Sequence, residues 1–150
     1  MKRGELLAQL QRGDLTERLT PVYGKDAPAA AERLQELVQE YADTFPCADD
    51  TDTFLFSAPG RTELGGNHTD HQHGRCLAAS VDLDTIACVV PNDSKIIRIK
   101  SRNHRMAEVD LTDLSVRPDE VGSSVSLVRG IAAKLTEMGY TVGGFDAYTT

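Results

Sequence analysis

Seventeen residues, Ala58-Pro-Gly-Arg-Thr-Glu-Leu-Gly-Gly-Asn-His-Thr-Asp-His-Gln-His-Gly74, restrict this chain more than any other stretch. Glycines at 60, 65, 66 and 74 allow tight turns and let main chain approach a ligand closely. Between them stand Arg61, Glu63, Asn67, His68, Thr69, Asp70, His71 and His73. So many donors and acceptors in one predicted loop suit a small polyol, whose hydroxyls each need a partner. A carboxylate such as Asp70 can accept from two vicinal hydroxyls. An arginine such as Arg61 can steady a developing oxyanion or a phosphoryl oxygen.

Other readings compete. A Walker-type phosphate loop needs Gly-Lys-Ser/Thr after its glycines, and here Asn67-His68 follow. A metal site could draw on His68, Asp70, His71 and His73, but these positions are crowded and the chain offers few further ligands; no metal site is predicted. A polar hairpin loop with scattered histidines is the bland alternative. Residue chemistry alone leaves it level with sugar binding.

The surroundings favour one soluble domain. The 150 residues suffice for a core, and 40% apolar with 26% charged is a globular balance. A net charge of −7 argues against nucleic-acid or anionic-membrane partners, which need a basic face. Cys47, Cys76 and Cys88 form no C-x-x-C pair and read as reduced thiols, with Cys76 and Cys88 expected in the core. Neither a signal peptide nor a membrane-length apolar run is visible, so a cytoplasmic location is expected.

Residues 1–50 read as a helical amino-terminal segment and linker. Ala30, Leu34, Leu37, Val38, Tyr41 and Phe45 recur at helical spacing, with Asp26 and Pro28 as start signals and Pro46 as a stop. Residues 51–150 change character. Thr53–Ser57, Cys76–Val90, Lys95–Lys100 and Met106–Leu111 read as strands, mostly antiparallel because their connections are short. A helix follows with Leu127, Val128, Ile131, Leu135 and Met138 on one face, capped by Ser123 or Ser124 and ended by Gly139. Gly130 inside it suggests a close packing contact. Phe145–Thr150 reads as a last strand.

Ala58-Pro59-Gly60-Arg61, then Gly66-x-His68-Thr69-Asp70 and Gly74, closely resemble the galactokinase signature A-P-G-R-V-N-L-I-G-E-H-T-D-Y-N-G-G. Leu77–Asp84 resembles that family's following P-A-A-I-D segment, and the Gly130 helix and Gly144-Phe145-Asp146 also fall in place. The resemblance covers roughly residues 53–150. It implies an α+β fold: a GHMP-kinase amino-terminal domain, ribosomal protein S5 domain 2-like, here truncated, with a mixed, mostly antiparallel sheet and helices on one side. It also implies ATP-dependent phosphorylation of galactose to galactose 1-phosphate, with ATP and Mg²⁺ as cofactors. Arg61 takes the position near the anomeric oxygen and the transferred phosphoryl group; Asn67, His68 and Asp70 take sugar-contacting positions.

Departures qualify this. Asn67 replaces a glutamate, Glu63 an asparagine and Gly65 an isoleucine. Loss of the Glu charge at 67 opens the alternatives of galacturonate or N-acetylgalactosamine, although an Asn oxygen still accepts a hydroxyl. The family's S-D-V-P-x-G-x-G-L-S-S-S-A phosphate loop and a later aspartate do not occur within residues 1–150. The chain alone is therefore expected to be inactive, with no cofactor-binding residue of its own. A non-catalytic sugar sensor of galactokinase type is the rival class.

Overall fold

A computed structural model describes residues 1–150. Three helices come first, α1 (Arg3–Arg12), α2 (Thr16–Tyr23) and α3 (Ala27–Thr44). They are followed by β1 (Phe54–Gly65), β2 (Leu77–Asn92), β3 (Ile96–Ser101), β4 (Ala107–Asp110), α4 (Ser124–Glu137) and β5 (Gly144–Thr149). No helix is long and apolar enough to cross a membrane.

The predicted apolar stripe becomes the inner face of α3, where Leu34, Leu37, Val38 and Tyr41 are buried. Pro28 sits in the first turn, where its missing N–H costs nothing. This face packs on Ile86, Cys88 and Val90 of β2 and Tyr148 of β5, with Leu6 and Leu10 of α1 closing one end. Burial there pushes the Cys88 thiol up to about 12 and raises the Tyr41 hydroxyl well above its usual range. Cys88 is thus the core thiol expected. Cys76 is not: it lies exposed, just ahead of β2.

The sheet runs β1-β2-β5-β3-β4, with β1–β2, β2–β5 and β3–β4 antiparallel and β3–β5 parallel. The α+β class and the mixed, mostly antiparallel sheet are as expected. Although β2 and β3 are joined by only a short turn, β5 lies between them. Asp146 on β5 explains how the gap is held open. Its carboxylate accepts from Arg98 of β3 at 2.6 and 3.0 Å and from the Asn92 amide at the end of β2 at 3.1 Å. Gly144 begins β5 where the two flanking strands diverge; a Cβ there would stand 2.3 Å from Asn92 Oδ1 and 2.6 Å from the Ser94 carbonyl oxygen.

The helices do not all lie on one side. Side chains alternate across a sheet, so Ile86, Cys88 and Val90 face α3 while Ile97 and Ile99, paired with Phe145 and Ala147, face the other way. On that side Ile97, Ile99 and Phe145 line an apolar cavity together with Val128 and Ala132 of α4. Ser123 caps α4 by accepting the Ser126 N–H, and Arg129 is buried against Glu120 and the Asp113 carbonyl. The anticipated apolar face of α4 is only partly used, since Leu127, Ile131 and Met138 remain 65, 54 and 59% exposed. Gly130 makes no close contact, contrary to expectation: a Cβ there meets nothing within 4 Å.

Candidate functional site

The predicted loop is in its first half a strand. β1 continues to Gly65, so Ala58, Pro59, Arg61, Thr62 and Glu63 pair with Thr85, Asp84, Ser80, Ala79 and Ala78 of β2. Pro59 is tolerated because β1 is an edge strand and needs no donor on its open side. The register shifts between Pro59 and Arg61, an irregularity that re-aims the side chains beyond it. Arg61 follows directly and is exposed.

The loop proper spans residues 66–76. Gly66 opens it at φ 120°, with Arg75 and Cys76 backbone so near that a Cβ would lie 2.5 Å from the Arg75 carbonyl oxygen. Asn67 and His68 both adopt the left-handed conformation, at φ 53° each. Thr69 then folds the chain back. Its hydroxyl donates to the Gly66 carbonyl at 2.8 Å, and its own carbonyl accepts Gln72 and Gly74 N–H at 2.9 and 2.8 Å. Asp70–Gln72 form a 3-10 turn inside that closure.

Asn67, His68 and Asp70 are thus gathered on one short loop, with Arg61 on the strand leading into it, and all four are exposed. Asp70 keeps its oxygens largely free, with only the Cys76 thiol at 3.7 Å and the His71 ring at 4.0 Å nearby. No group of three or more His, Cys, Asp or Glu side chains converges closely enough to hold a metal ion. An open set of amide, imidazole, carboxylate and guanidinium groups can both donate to and accept from a polyhydroxylated ligand.

Two residues emerge that the motif reading left aside. Glu63 accepts the His68 N–H on both carboxylate oxygens, at 2.9 and 3.1 Å, and also faces the His68 Nδ1. Asp84, at the base of the hairpin, accepts from the Tyr23 hydroxyl at 2.5 Å, the Ser57 hydroxyl at 2.6 Å and Arg33 at 3.0 Å. It ties α2 and α3 to the hairpin carrying Arg61. Burial alone would raise its carboxyl, but the bonds from Ser57, Tyr23 and Arg33 outweigh that and hold it below the usual range. A signal was present: a carboxylate inside an apolar strand needs partners.

Residues 39–91 match the model of the galactokinase galactose-binding signature. Galactokinase of Streptococcus mutans is 31% identical over 120 residues, covering 77% of this chain and 30% of the relative. Galactokinase of Streptococcus suis is 30% identical over 111 residues, covering 72% and 27%. The chain therefore spans less than a third of the length of these curated relatives. Among solved structures, Lactococcus lactis galactokinase complexed with galactose superposes with a TM-score of 0.66 at 27% identity, over 78% of this chain and 30% of that one. Methanococcus jannaschii mevalonate kinase, at 15% identity and a TM-score of 0.50, covers 66% of this chain and 32% of its own and shares the fold.

Proposed function

Taking the chain as the amino-terminal, galactose-signature portion of a galactokinase-type protein, we propose that it is the sugar-binding part of a sugar 1-kinase. The reaction is phosphorylation of galactose at its anomeric hydroxyl. The observation that supports this most is the placement of the matched signature on an exposed loop of donors and acceptors, entered through an arginine-bearing strand.

In this reading Asn67, His68 and Asp70 bind and orient the sugar. Asp70 accepts from hydroxyls, while Asn67 and His68 can each donate or accept. Arg61, exposed on the strand that enters the loop, is assigned the neutralisation of charge building between the anomeric oxygen and the phosphoryl group. Such transfer depends chiefly on positioning and charge stabilisation. ATP with Mg²⁺ would supply the phosphoryl group in the whole protein. Residues 1–150 do not fit that cofactor by themselves: no carboxylate cluster converges for a cation, and the family's glycine- and serine-rich loop is not among them. The chain alone is therefore proposed to bind sugar without turnover. A cytoplasmic location accords with its three unpaired cysteines.

Asn67 favours a second substrate class. An amide can donate to a carboxylate where a glutamate would repel it, which makes galacturonate a competitor; N-acetylgalactosamine is another, because its acetamido group can pair with an amide. Titrating the chain with galactose, galacturonate and N-acetylgalactosamine, followed by amide NMR shifts, separates these readings. Galactose should shift Asn67, His68 and Asp70 most strongly; a preference for another sugar replaces the substrate, and no response to any sugar overturns the site. Galactose 1-phosphate formed by the purified chain would refute the claim of inactivity.

A further inference from the structure

Asn67 and His68 form the crest of the loop, and both hold a backbone conformation that side-chain-bearing residues adopt uncommonly. Two such residues in succession persist only where neighbouring contacts over-determine them. Gly66 and Thr69 close the base of the turn but leave the His68 N–H without a main-chain acceptor. That N–H goes to Glu63 instead.

We propose that Glu63 is a positioning residue for the loop crest, its carboxylate fixing the His68 backbone and ring and thereby the direction in which Asn67 and His68 face a ligand. The geometry is specific. Glu63 lies on β1, paired with Ala78, so its carboxylate starts from a strand and not from the loop it holds. Its side chain is only 17% exposed, whereas that of His68 is 85% exposed, so the anchor is sheltered and the anchored group is presented. Both carboxylate oxygens take the same N–H, and Oε2 also faces Nδ1. The ring thus lies with its Nδ1 edge against the same carboxylate and its Nε2 edge turned away from it. A shorter or neutral side chain at 63 cannot supply both interactions with the same strength.

The functional half of this inference rests on the sugar-binding reading; the structural half does not. Both are tested on the chain itself with Glu63→Leu and Glu63→Gln. In Glu63→Leu, exchange of the His68 amide should accelerate roughly tenfold or more, as expected for loss of a charged acceptor. The ¹⁵N signals of the His68 ring should shift as the neighbouring carboxylate is lost, while the β1–β2 ladder amides keep their protection. Galactose affinity should fall about fivefold or more, given loss of preorganisation. Glu63→Gln keeps one carbonyl oxygen and should restore part of the amide protection. Should the Leu variant also lose the ladder amides, the Gln variant alone decides, through faster His68 exchange and an altered ring on an intact ladder.

Unchanged His68 exchange and ring signals in Glu63→Leu on an intact ladder, or in Glu63→Gln where Leu breaks it, overturn the proposal. Unchanged galactose affinity in a variant that does free the loop overturns its functional half. If no form of the chain binds galactose, the sugar reading fails, and the amide and ring readouts still judge Glu63.

Discussion

Asp84 carries a consequence for pH. Its side chain is 7% exposed and collects Tyr23, Ser57 and Arg33 from three different elements. Because its folded-state pKa is lowered, the ionised form is favoured in the folded chain. The resulting stability is fully present above the unfolded value of about 4 and disappears as pH falls through the lower folded value. Asp84→Asn should therefore destabilise the chain at pH ~7, by about 1–3 kcal/mol if one charged acceptor is lost. In urea melts the difference between the two proteins should shrink as pH falls from neutral through the folded-state value. A difference that does not shrink with acidification would show that the charge is not what matters. Part of this residue-scale picture was legible beforehand. The density of polar groups marked 58–74, and the family resemblance gave Arg61, Asn67, His68 and Asp70 their expected roles. The partners of Asp84 were not, because Ser57, Arg33 and Tyr23 lie 27, 51 and 61 positions away; Glu63 and His68 are only five apart, but their pairing depends on the left-handed backbone at Asn67 and His68, which no spacing encodes.

Strands and helices were readable wherever one face alternates with another. The stripe through Leu37 and Tyr41 is one such case, and the apolar runs of β2 and β3 are others. Reading failed where packing overrides local pattern. Pro59 and Gly60 look like a turn yet sit in an edge strand, where the missing donor is harmless. The insertion of β5 between β2 and β3 was hidden because the turn chemistry of Asn92–Ser94 is equally good for a simple hairpin. Two glycines now separate in meaning. Gly144→Ala must push a methyl group into Asn92 and the Ser94 carbonyl, and should cost about 1–3 kcal/mol as an overpacking change. Gly130→Ala meets open space on an exposed helical position and should stabilise by about 1 kcal/mol through helix propensity. Thermal melts of the two variants should move in opposite directions; a destabilised Gly130→Ala would mean that α4 packs more closely than it does here.

At the scale of the molecule, one sheet face is unevenly covered. The α3 side is closed by the main core, and on the other side α4 lies over Ile97, Ile99 and Phe145. Strand alternation turns Phe54 and Phe56 away from the α3 core, and they remain 47 and 57% exposed. Leu127, Ile131 and Met138 of α4 are exposed as well, so large apolar side chains of both β1 and α4 face solvent and are available for apolar contact. Apolar attraction between copies is opposed by a net charge of −7 on each. Added salt shortens the range of that repulsion, to ~10 Å at 0.1 M and ~3 Å at 1 M, and leaves apolar contact intact. Self-association should therefore increase with sodium chloride, the reverse of an interface held by exposed ion pairs. Sedimentation velocity across a salt series checks the sign. Phe54→Thr with Phe56→Thr keeps strand-favouring side chains while removing both rings, and should weaken association with little loss of stability. Dissociation on adding salt, or association indifferent to the double variant, would place the attraction elsewhere on the surface.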